Sequence, residues 1–91
     1  MKIKEKISLI EGCFEPKDAK EILYNIISNK IQFHQKKNFS SVERYGFADE
    51  NSVKRIPELK DNLQKLLLII SEAENSKKQL CISSEISIQI K

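Results

Sequence analysis

The densest group of side chains that could bind a ligand lies between Asn38 and Glu50, in the segment NFSSVERYGFADE. Arg44 carries a guanidinium that can bind a carboxylate or a phosphate through two hydrogen bonds. Tyr45 and Phe47 offer aromatic faces on which a ligand can stack. The helical period of apolar residues stops here, so the segment is predicted to be a long connection, and long loops are often functional. A binding role for Arg44, Tyr45 and Phe47 is therefore one interpretation.

A structural interpretation of the same segment is favoured. Phe39, Tyr45 and Phe47 would close the open end of a small core, as loop side chains commonly do. Glu43 and Arg44 would pair in solvent, and Gly46 would supply a turn.

Basic residues are enriched around this segment, which suggests an interaction with nucleic acid. Residues 29–55 contain these cations: Lys30, Lys36, Lys37, Arg44, Lys54 and Arg55. Basic clusters with aromatic neighbours bind single strands, so Lys37 and Arg55 join Arg44, Tyr45 and Phe47 as candidate binding residues. The formal net charge is only +3, so weak nucleic-acid binding is the alternative function and not the first.

No catalytic, cofactor or metal site is predicted. His34 is the single histidine and has no metal-ligating neighbour at helical spacing. Cys13 and Cys81 are too few for a zinc module. Neither a glycine-rich phosphate loop nor a nucleophile with a neighbouring general base can be identified, so the chain is not expected to be an enzyme.

Four segments of regular structure surround these residues. Alternation predicts a strand over residues 2–10, with Ile3, Ile7 and Leu9 on one face and lysines such as Lys2 on the other, and a second strand over 79–90. Apolar residues at helical spacing predict a helix over 16–37 and another over about 51–75. The stripe of this second helix consists of Leu59, Leu63, Leu66, Ile70 and Ala73. Pro57 leaves two alternatives, a helix that begins there or one that is kinked there.

This order predicts a single two-layer α+β domain over residues 1–91, in which a helical hairpin covers one face of an antiparallel strand pair. The topology brings Cys13 and Cys81 close together, although a reducing cytoplasm argues against a bridge. A cytoplasmic location is expected, because no apolar run is long enough for a membrane helix or a signal peptide.

A two-stranded sheet is marginal alone and leaves two open edges. Leu68 shares its helix face with polar residues and would be exposed in a monomer, next to Ile69. These features predict a homodimer, formed through the sheet edge or through Leu68 and Ile69. The predicted function is a non-catalytic protein-interaction or assembly module that associates with itself or with another protein and not with a membrane.

Overall fold

The computed structural model describes residues 4–90 and has the element order β-α-α-β. The elements are β1 (Lys4–Phe14), α1 (Pro16–Tyr45), α2 (Glu50–Ser76) and β2 (Leu80–Gln89). The predicted α+β fold is confirmed, with an antiparallel strand pair and a helical hairpin that packs on it. Lys2 and Ile3, which belong to the predicted first strand, lie outside the described residues.

Helix α1 begins as predicted, with Pro16 at its first position and Asp18 in its first turn. It ends at Tyr45, so the prediction of a connection over 38–50 was wrong, and the turn spans only residues 46–49. The helix stops because Gly46 adopts a left-handed conformation with φ of 79°, and its N–H bonds back to the carbonyl of Val42.

Helix α2 is continuous from Glu50 to Ser76 and contains Pro57, so the alternative of a helix starting at Pro57 is wrong. Pro57 has no N–H to offer the carbonyl of Val53, and both residues are exposed, so water can satisfy that carbonyl. The helix ends in a Schellman motif, in which the N–H of Lys78 bonds to the carbonyl of Ala73 at 3.0 Å and Lys77 adopts φ of 56°.

The core lies between the two helices and is small. The predicted stripe of α2 faces it: Leu59, Ile70 and Ala73 are buried, and Leu63 and Leu66 are half-buried. From α1, the buried apolar residues are Ala19 and Ile31. The described chain measures 50 × 35 × 15 Å, so it is thin and leaves much apolar surface outside.

The strands form a two-stranded ribbon whose register places Ile7 opposite Ile86 and Cys13 opposite Cys81. A register shift between Ser8 and Ile10 leaves Leu9 as an extra residue in β1. The bulge changes the parity of the strand, so that Ile10 joins the face that Ile7 occupies.

The helices cover the ribbon unevenly. Phe14 and Leu80, at the end that adjoins the helices, are half-buried. Ile7, Ile86 and Ile88, farther along the same face, are exposed. The distal half of the sheet therefore has no partner layer among residues 4–90.

Cys13 and Cys81 are neighbours, as the topology predicted, and they form a disulfide. The expectation that they would remain unbridged is therefore wrong. Their positions directly opposite each other in adjacent strands, with Cα atoms 3.9 Å apart, bring the two sulfurs within bonding reach. The bridge ties together strands that are 68 residues apart in sequence.

Candidate functional site

The tip of the helical hairpin is held together by polar side chains on the inner face of α1. His34 Nδ1 lies 3.0 Å from Ser52 Oγ. The backbone N–H of Asp49 donates to Asn38 Oδ1 at 2.9 Å. Ser41 Oγ donates to the carbonyl of Phe47 at 2.9 Å. The stripe that is apolar at Ile27 and Ile31 thus continues into the last turns of α1 as His34, Asn38 and Ser41.

Asp49 caps α2, because its carboxylate accepts a hydrogen bond from the N–H of Ser52 at 3.0 Å. Hydrogen bonds from the side chain and the backbone of Ser52 lower the pKa of the Asp49 carboxyl below its usual value, and the nearby cation of Lys37 adds to the effect. The residue therefore carries its negative charge at neutral pH and stabilises the first turn of the helix.

Ser52, His34 and Asp49 resemble a hydrolytic triad in composition but not in arrangement. Asp49 bonds to Ser52 and not to His34, so no carboxylate among residues 4–90 orients the imidazole. Ser52 has an exposed fraction of 0%, so its hydroxyl cannot reach a substrate. This cluster joins α1 to α2. Within residues 4–90, no group of three His, Cys, Asp or Glu side chains is arranged to hold a metal ion.

An open groove of about 430 Å³ runs along the outer side of this tip. Its wall consists of Phe33, Lys36, Lys37, Ser40, Ser41, Arg44, Tyr45 and Asp49. Three of the candidate binding residues, Lys37, Arg44 and Tyr45, are thus brought together. Phe47 adjoins them, because its ring stacks on that of Tyr45 with centroids 6.0 Å apart.

Arg55, the fifth candidate binding residue, does not line this groove. Its guanidinium pairs with the carboxylate of Glu58 at 2.8 Å, one turn along α2. Phe33 and Ser40 were not identified as site residues, although they line the groove. Their signal is the helical period itself, since Phe33, Lys37, Ser40 and Arg44 follow one side of α1 once the helix extends to Tyr45.

The apolar residues assigned to self-association are on the surface. Leu68 is 72% exposed and Ile69 is 54% exposed. Leu68 is surrounded on its helix face by the exposed polar residues Asp61, Gln64 and Glu72. Ile69 lies beside the base of the ribbon, where it lines a shallow depression of about 270 Å³ with Leu80.

The exposed half of the ribbon has more exposed apolar residues than the region of Leu68 and Ile69. Its outward-facing apolar residues, each more than one third exposed, are Ile7, Leu9, Ile86, Ile88 and Ile90. Extended apolar surfaces of this kind commonly mark an interaction site.

No protein-family model, curated protein or solved structure matches this chain. No helix among residues 4–90 has both the length and the apolar composition needed to cross a membrane.

Proposed function

We propose that the chain is a non-catalytic assembly module that self-associates by pairing strand β2 with β2 of a second copy. The observation that carries the proposal is the open edge of β2 beside an uncovered row of isoleucines. The strand reads LCISSEISIQ and contains no proline, glycine or bulge. An exposed, regular and hydrophobic edge strand is the element most prone to pair with another chain.

The edge of β1 is protected against such pairing. Lys4 and Lys6 place charges along it, and Leu9 forms a bulge that interrupts its regular ladder. Gly12 adds a backbone irregularity, with φ of 145°. Because the two edges differ in this way, the proposal assigns the interface to β2.

The register of the ribbon indicates which groups of β2 are free. The 3.9 Å Cα separation of Cys13 and Cys81 is closer to that of a narrow, non-hydrogen-bonded pair than to that of a wide pair. The N–H and C=O groups of Cys81 therefore point away from β1. The backbone orientation alternates along a strand, so those of Ser83, Glu85 and Ser87 also point to the open edge.

An antiparallel pairing about a two-fold axis at Ile86 fits both strands. It places Ile86 opposite its own copy, Ile82 opposite Ile90 of the second copy, and Glu85 opposite Ser87 of the second copy. No like charges face each other, and isoleucines continue across the interface. The result is a sheet of four strands, more than the minimum of about three needed for independent stability.

A pair of matched variants tests this interface. Ile86→Glu would place two carboxylates against each other at the axis and remove an isoleucine contact, so we expect dimerisation to weaken about tenfold or more. Ile7→Glu is the control, because Ile7 lies directly opposite Ile86 on the same face but on the protected strand. Sedimentation equilibrium would measure both dissociation constants.

Equal weakening by the two variants would contradict edge pairing and would instead indicate packing of one sheet face on another. Ser87→Pro tests the same interface through the backbone, because it removes an outward N–H without removing a bond to β1. A further variant tests the predicted role of Leu68 and Ile69 in self-association. If β2 forms the interface, Leu68→Ser leaves the dissociation constant of the dimer unchanged.

A cytoplasmic location remains a prediction within this proposal. Disulfides persist in oxidising compartments and are rare in the cytosol, so the Cys13–Cys81 bridge weighs against it. Alkylation of free thiols in intact cells distinguishes the locations. Modification of Cys13 and Cys81 would fit the cytoplasm, and full protection would fit an oxidising compartment.

A further inference from the structure

We propose that the groove at the hairpin tip binds single-stranded nucleic acid. The groove lies on α1 and the turn, whereas the proposed dimer interface lies on β2, so this inference does not rest on self-association.

Charge is the first feature that favours this ligand. Lys36, Lys37 and Arg44 line the groove and form no ion pair within the described part of the chain, where the pairs are Arg55 with Glu58 and Lys65 with Asp61. Among the described residues that line the groove, Asp49 is the one acid, and its carboxylate caps α2. The groove thus has an excess of positive charge whose cations are free to contact phosphates.

Exposed aromatic rings are the second feature. Phe33 is 59% exposed and Tyr45 is 64% exposed, and they are the first and last residues of α1 that line the groove. Phe47 stacks on Tyr45, with 29° between the ring planes. Rings held in this way can stack on unpaired bases.

The lining residues extend along the helix, so an elongated ligand can contact cations and aromatic rings together. Phe33 and Arg44 are separated by about 16 Å at 1.5 Å per residue, with Lys36, Lys37 and Ser40 between them. A duplex would use the cations but would keep its bases away from the rings. An acidic peptide would likewise need only the charges.

Fluorescence anisotropy with labelled oligo(dT) of 12 nucleotides tests the proposal. With three phosphate contacts, the affinity for a single strand should fall about 20-fold between 50 and 200 mM salt. Replacing Lys36, Lys37 and Arg44 together by glutamine should abolish this salt-dependent binding. The matched control replaces Lys20, Lys60 and Lys65 by glutamine, which lowers the net charge equally away from the groove and should leave affinity within about twofold.

Variants of Tyr45 distinguish base stacking from attraction between charges. Tyr45→Ser should weaken oligo(dT) binding at least fivefold, whereas Tyr45→Phe, which retains the ring, should not. The proposal is overturned if no salt-dependent binding occurs or if the two triple variants lose affinity equally. It is also overturned if oligo(dT), a duplex of the same length and poly-glutamate bind equally well, because the groove would then recognise charge alone.

Discussion

Removal of the Cys13–Cys81 disulfide is expected to cause the largest loss of stability available from a change to exposed side chains. The bridge joins residues 68 positions apart, so it closes a loop that contains both helices. In the chain-entropy model, opening a loop of this length costs about 4 kcal/mol of unfolding free energy at 25 °C, because the unfolded chain regains its conformational freedom. Both cysteines are exposed, so the loss of packing adds little.

The variant combines Cys13→Ala with Cys81→Ala and is compared with the oxidised chain by urea unfolding, followed by circular dichroism. The control combines Glu11→Ala with Ser83→Ala, the neighbouring cross-strand pair on the same face of the ribbon. It alters similar contacts without changing connectivity, so a change within about 0.5 kcal/mol is expected.

The expected loss of about 4 kcal/mol corresponds to a fall in melting temperature of about 16–32 °C for a domain of this size. Reduction of the wild-type chain should reproduce it, since the same covalent constraint is lost. A loss below about 1 kcal/mol in the alanine variant would refute the reasoning, because the bridge would then not constrain the unfolded chain.

Three further predictions concern the helix ends and the tip. Ser52→Ala should cost about 1 kcal/mol in chemical unfolding, because His34 loses its partner across the hairpin, whereas Ser71→Ala on the exposed face of α2 should be neutral. Asp49→Asn retains the cap but removes the charge. The pKa of Asp49 is lowered in the folded chain, so the wild type should be more stable than this variant above pH 3.8, and the difference should disappear as the pH falls through the lower folded value. Lys77→Gly should raise the free energy of unfolding by about 1 kcal/mol, because glycine adopts φ of 56° without the strain of a side chain; a destabilised variant would contradict this.

The sequence predicted the order of the elements because each carries a clear period. The stripe from Leu59 to Ala73 has the period of a helix, and the apolar residues of β2 alternate with polar ones as in a strand. The last turns of α1 escaped recognition because their inner face is polar. His34, Asn38 and Ser41 pack against the turn through hydrogen bonds, and a hydrophobic period cannot show such contacts.

The bulge in β1 was not predicted, for a different reason. A bulge at Leu9 shifts the alternation of β1 by one residue, and its one mark in the sequence is the adjacent apolar pair Leu9 and Ile10, which does not by itself specify a bulge. The candidate groove was partly predictable: Lys37, Arg44 and Tyr45 were identified by side-chain type. Phe33 joins them only because α1 continues to Tyr45, which places Arg44 on the same helix side as Phe33 and Lys37.

Self-association through β2 is tested most directly by the absolute mass of the unmodified, oxidised chain, measured by light scattering behind a sizing column over a range of concentrations. The structure leaves the β2 edge and its isoleucines open in one copy. The predicted result is twice the 10.6 kDa of a single chain, with dissociation only on dilution. A mass of 10.6 kDa at every concentration would contradict the account, because the exposed edge would then have no second copy to pair with.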